Sequence, residues 1–155
     1  MARTLLIFIL LQAIPYKRLK WADFRGKAPR DTPFIALTVS NIEFEIDQYD
    51  TTYHYTVACE FEPGQSWTKA ADSAILCHEQ IHLDITRRYS EALQGALQPL
   101  QGQNSGKEAE RLYDRCIESW KAAEENYDAI TSHGKDSQAQ EVYVEYMKSG
   151  RKFVF

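Results

Sequence analysis

Residues 77–85 read Cys-His-Glu-Gln-Ile-His-Leu-Asp-Ile and set His78, Glu79 and His82 in the order His-Glu-x-x-His. Imidazoles four residues apart lie one above the other on a helix, so both can bind one divalent cation. Zn2+ suits such a set, because it takes two imidazoles and a third side chain and leaves a fourth position open. Bound zinc lowers the pKa of its water toward ~7 and polarises a carbonyl. A carboxylate such as Glu79 then serves as general base, taking the proton of the zinc-bound water and handing it to the leaving amine. With four His and thirteen Glu in 155 residues, this pattern is expected by chance on the order of 0.01 times. Two readings compete: a zinc-binding relative that is catalytically inactive or non-proteolytic, and a structural or adhesion module in which His78 and His82 are core residues bonded to backbone or to carboxylates.

A helix must carry the motif. With His78 at 0° on a wheel of about 100° per residue, His82 falls near 40° and Glu79 near 100°. Ala71, Ala74, Ile75, Ile81, Ile85, Tyr89, Leu93 and Ala96 share the histidine direction, while Lys69, Gln80, Arg87, Glu91 and Gln94 lie opposite. Both imidazoles therefore face the interior, where an unsatisfied polar group costs about 1–3 kcal/mol. Asp84, near 240°, points away from a metal bound there. Ser66 is expected to cap this helix, which runs to about Leu97 with Pro99 beyond.

Upstream, residues 35–46 and 52–61 alternate apolar and polar side chains across a turn at Asp47–Asp50, which predicts an antiparallel hairpin. Tyr53, Tyr55, Val57, Cys59 and Phe61 form one face and His54 lies on the other. Downstream, Ser105 and Glu108 fit a capping box for a second helix. Its apolar positions run from Leu112 through Cys116, Trp120 and Tyr127 to Ile130, and Gly134 is its stop. A third, shorter helix covers 138–147, and the final Arg-Lys-Phe-Val-Phe fits an edge strand. The fold class expected is α+β: a small zincin-like domain, residues 14–155, with an antiparallel hairpin packed on the His-Glu-x-x-His helix, a second long antiparallel helix and a short C-terminal helix.

An antiparallel helix pair sets residues 120–128 opposite the two histidines, so Glu124 and Asp128 are candidate third ligands. His133, the one remaining histidine after the motif, lies beyond them. Along an ideal helix it is about 16 Å past the point of closest approach. Ligation by His133 thus requires a steep crossing or a helix break near Asp128.

The segments WADFRGKAP, PFIALTVSNI, ACEFEPGQSW, HEQIHLDI and YDAITSHG, in that order, resemble a family of exported bacterial proteins described as predicted secreted zinc-dependent proteases. The resemblance spans roughly residues 19–147, and the His-Glu-Gln-x-His element is its most specific part. It implies a zincin-like metallopeptidase acting on a peptide or protein substrate, with metal ligands His78, His82 and His133. His133 is named because Tyr127, Asp128, Thr131, His133 and Gly134 match the late Tyr-Asp-x-x-Thr-x-His-Gly element. Arg87 and Ile130 depart from the acidic or polar residues expected at their positions.

Residues 1–13 follow Arg3 with an apolar run, Leu5 to Leu11, and a small Ala13. That pattern reads as a signal peptide and a secreted or periplasmic protein. The run is far below the ~20 apolar residues that span a bilayer. A net charge of −4 with scattered basic residues gives no electrostatic basis for nucleic-acid binding. Three cysteines, an odd count, imply no disulfide framework. They read as small buried apolar residues.

Overall fold

The computed structural model describes residues 13–155, so the signal peptide expected over residues 1–13 lies, apart from Ala13, outside the described residues. The architecture is α+β: among the described residues there are two small antiparallel sheets of two strands each and three α-helices. No helix among the described residues is long and apolar enough to cross a membrane.

Strands β2 (Ser40–Tyr49) and β3 (Thr52–Phe61) form the expected hairpin, in a register running from Ser40↔Phe61 to Tyr49↔Thr52. The turn is tighter than the sequence suggests. Asp47 pairs with His54 within the ladder, and Asp50 makes the reversal at φ 55°, a left-handed conformation that Asp tolerates. The first predicted strand also divides. Ala36–Leu37 (β1) leaves the hairpin and pairs with Trp67–Thr68 (β4).

Helix α1 (Ser73–Leu97) begins later than predicted. Ser66 is not its cap: it is fully buried, and its hydroxyl accepts from Val39 N at 2.9 Å. Asp72 is the cap, accepting from Ala74 N at 2.8 Å and Ile75 N at 3.0 Å. Such a cap contributes about 1 kcal/mol. Helix α2 (Gly106–Thr131) starts after Ser105, but the predicted capping box does not form. The Ser105 hydroxyl instead meets Tyr55 Oη at 2.9 Å and donates to Leu100 O at 3.0 Å. Glu108 pairs with Arg111 at 2.8 Å. Helix α3 spans Ser137–Lys148. The tail adds no strand: Phe153 packs edge-on against Tyr89 and Arg115 donates to Phe155 O.

The core lies between the hairpin face bearing Ile42, Tyr55 and Val57 and the stripe Ile81, Ile85, Tyr89, Leu93 and Leu97 of α1, closed by Ala109, Cys116 and Tyr127 of α2. Ile85 and Leu93 are completely buried, each worth about 1.5–3 kcal/mol of transfer free energy. Pairs His78–Asp128, His82–Glu124, Trp120–Thr86 and Cys116–Tyr89 run in opposite order along the two helices, which are antiparallel as predicted. All three cysteines are free; Cys116 is buried, Cys59 and Cys77 half-buried. Burial pushes the Cys59 and Cys116 thiols up to about 12.

Candidate metal centre

His78 and His82 project from α1 with their Nε2 atoms 3.2 Å apart. Asp128 Oδ1, from the last turns of α2, lies 3.1 Å from His78 Nε2 and 3.2 Å from His82 Nε2. Two imidazole lone pairs that close repel unless a proton or a cation sits between them. Ligand atoms about 2.05 Å from a tetrahedral zinc are about 3.3 Å from one another, close to the three edges found here. His78, His82 and Asp128 form a group whose donor atoms could hold a metal ion.

The protein holds each ring firmly. The Tyr127 ring stacks on His78 at 4.8 Å and meets His82 edge-on at 5.1 Å. On the Nδ1 side of His78 lies Gly134, where an added Cβ would come within 2.9 Å of the imidazole Cγ. Nδ1 of His82 contacts Glu124 Oε2. Burial disfavours charge on His82, but hydrogen bonds to Asp128 and Glu124 outweigh it and raise its pKa to about 10. Burial also opposes charge on Asp128, yet hydrogen bonds from His78 and His82 prevail and hold its carboxyl well below the usual carboxylate range.

Glu79 is buried, and its Oε2 has no hydrogen-bond partner among the described residues. An orphaned buried carboxylate oxygen is costly and calls for a physical reason, such as a catalytic role or an ion or water that meets it. Glu79, His78, His82 and Asp128 share a cavity of about 480 Å³. One wall is the segment Pro33–Thr38, in which Phe34, Ile35 and Leu37 are exposed. The other is the turn His133–Lys135.

That turn explains how His133 comes near. Helix α2 does not break at Asp128 but continues to Thr131, after which Ser132, His133 and Gly134 all take positive φ. The chain folds back, and Asp136 N donates to Thr131 O at 2.9 Å. His133 does not join the converging group. Its Nδ1 lies 3.2 Å from Asp128 Oδ2, its ring packs on Phe34 at 5.1 Å, and its side chain is half exposed. The family model described as "Bacterial protein of unknown function (DUF922)" matches residues 50–134, more than half of the chain. The chain belongs to this family. The DUF922 stretch carries both histidines, Glu79, Glu124, Asp128 and His133, while the β1 wall lies ahead of it. No curated protein and no solved structure matches the chain.

Other polar residues singled out in the sequence lie elsewhere. His54 sits in the hairpin, edge-on to Tyr49 at 5.4 Å. Asp84 accepts from Gln80 at 3.1 Å and lines a second cavity on the far side of α1. Tyr89 is core. The sequence reading missed the roles of Thr86 and Trp120, both of which donate to Glu124 Oε1, at 3.2 and 3.0 Å. Trp120, Glu124 and Asp128 recur every four residues, as do His78, His82 and Thr86-Ser90 on the facing helix. That matched spacing was the available signal.

Proposed function

We propose that this protein is a zinc-dependent metallohydrolase with a zincin-like catalytic centre, acting outside the cytoplasm as a peptidase. The observation that carries the reading is the convergence of three ligand atoms in one cavity, beside a buried carboxylate whose Oε2 has no partner among the described residues. His78, His82 and Asp128 would hold the ion. Zinc, when bound, supplies Lewis acidity, polarising a carbonyl and acidifying water. Glu79 accepts the proton of the attacking water and delivers it to the leaving amine. Its carboxylate is well placed for this because no other group among the described residues claims Oε2. His133 braces the second oxygen of Asp128 from the cavity rim. The leader pattern of residues 1–13 supports export.

Strand β1 fits an extended peptide. Lys69 N donates to Ile35 O at 2.7 Å and Leu37 pairs with Trp67. By the alternation of an antiparallel ladder, the Ala36 N–H and C=O face the other edge, where a peptide strand can add. The exposed Phe34, Ile35 and Leu37 side chains favour apolar residues in that peptide.

The test is metal content and peptide hydrolysis of the purified protein and its variants. Wild type is expected to bind one zinc per chain and cleave an unfolded protein substrate. Glu79→Gln should keep the zinc and lose at least 100-fold in hydrolysis, a general base being worth about 10²–10⁴. Asp128→Ala should lose zinc affinity far more than His133→Ala. Full activity in Glu79→Gln removes the general-base role, zinc loss confined to His133→Ala transfers the third ligand to His133, and wild type without zinc removes the centre.

A further inference from the structure

The geometry points to Glu124 as a positioning residue that fixes the ring of His82 and its tautomer so that Nε2 is offered to the metal. The inference rests on the metal centre proposed above. Glu124 stands opposite His82 on α2 and touches Nδ1, the ring nitrogen turned away from the converging group. A carboxylate there accepts a hydrogen bond from Nδ1–H, which keeps the proton on Nδ1 and leaves the lone pair on Nε2. Glu124 is itself held. Trp120 Nε1 and Thr86 Oγ1 both donate to its Oε1, at 3.0 and 3.2 Å, so Oε2 is directed at the imidazole. Trp120 Nε1 also lies 3.0 Å from Thr86 Oγ1, and that hydroxyl is 2.7 Å from Ser40 Oγ of β2. Thr86 is completely buried and Glu124 is one-fifth exposed. The chain Ser40–Thr86–Glu124–His82 therefore ties the hairpin, both long helices and one imidazole into a single hydrogen-bonded unit.

Among the described residues Glu124 has no Lys or Arg partner, and it spends both oxygens within this unit. It differs from Asp128 in which nitrogen it meets: Asp128 reaches the two Nε2 atoms, Glu124 the Nδ1 behind them. A ligand and a brace are thus separated by position along one face of α2.

The experiment compares Glu124→Ala, Glu124→Gln, Asp128→Ala and His78→Ala in the full chain. It measures zinc affinity by chelator competition, the visible spectrum of the cobalt(II)-loaded protein, and urea unfolding without metal. Glu124→Ala should bind zinc about 10–100-fold more weakly, with an altered cobalt(II) spectrum. Glu124→Gln, whose carbonyl oxygen can still accept from Nδ1–H, should recover part of that affinity and the wild-type spectrum. It carries the test if Glu124→Ala does not fold. Affinity within threefold of wild type and an unchanged spectrum in both variants, while His78→Ala loses zinc, overturns the positioning role and leaves the metal centre standing. A loss in Glu124→Gln equal to that in Asp128→Ala makes Glu124 a ligand and also overturns it. Retention of zinc by His78→Ala overturns the metal centre and this inference with it.

Discussion

Gly134→Ala isolates the contact that seats His78. The added Cβ would stand 2.9 Å from His78 Cγ and 3.2 Å from its Cβ and Nδ1. Carbon atoms in contact prefer about 3.5–4.0 Å, so the imidazole must retreat by roughly 0.6 Å or more. Tyr127, stacked on the ring at 4.8 Å, leaves little room for retreat. Overpacking of this kind costs about 1–3 kcal/mol. Gly134 also sits at φ +77°, where a residue with a Cβ loses about 1–2 kcal/mol more. The expected destabilisation is about 2–5 kcal/mol in urea unfolding of the metal-free protein. Gly102→Ala and Gly150→Ala separate the two contributions. Both glycines have positive φ, +70° and +69°, with open space where the methyl would go, so they should show only the backbone part, about 1–2 kcal/mol. Zinc affinity should fall at least tenfold in Gly134→Ala and stay unchanged in the two controls. If Gly134→Ala is no less stable than Gly102→Ala and binds zinc like wild type, the contact does not position His78.

Zinc binding should strengthen with pH. His82 keeps its proton up to about 10 in the metal-free protein, so loading the site displaces about one proton and affinity should rise about tenfold per pH unit from 7 to 9; titrations at several pH values check this, and a flat profile refutes it. In the metal-free protein the sign reverses. A raised folded pKa stabilises fully below the unfolded value near 6.5 and is lost as pH climbs toward 10, so urea midpoints should fall from about pH 6.5 to about 8, below the range where the Cys59 and Cys116 thiols ionise in the unfolded chain, and His82→Gln should remove the fall over that range. Tyr127→Phe should leave zinc binding intact and stability equal or higher by about 1 kcal/mol, because the buried hydroxyl has no partner among the described residues. A large loss of hydrolysis with intact zinc would instead give that hydroxyl a chemical role.

The parts of this fold with strong periodicity were legible. The stripe through Ile81, Ile85, Tyr89 and Leu93 marked α1, and alternation from Tyr53 to Phe61 marked the hairpin. Glu124 and Asp128 opposite the histidines followed from helix spacing alone. Short-range choices were not legible. Ser66 and Asp72 are both good caps, and only the burial of Ser66 against Val39 decides between them. Residues 36–37 fell within the strand predicted over 35–46, but a two-residue pairing of β1 with β4 carries no pattern, so their departure to form the apolar wall of the cavity was invisible beforehand. Nor does propensity predict consecutive left-handed Ser132 and His133, whose turn brings Gly134 onto the ring of His78.

The imidazoles come from one helix and the carboxylates from its antiparallel neighbour, like teeth on two racks. Sliding α2 along α1 by half a turn, about 2.7 Å, would separate Asp128 from both histidines and Glu124 from His82 together. The chemistry proposed for this site would therefore be keyed to the relative register of two long helices, and any stress that shears them should switch it off abruptly rather than weaken it by degrees.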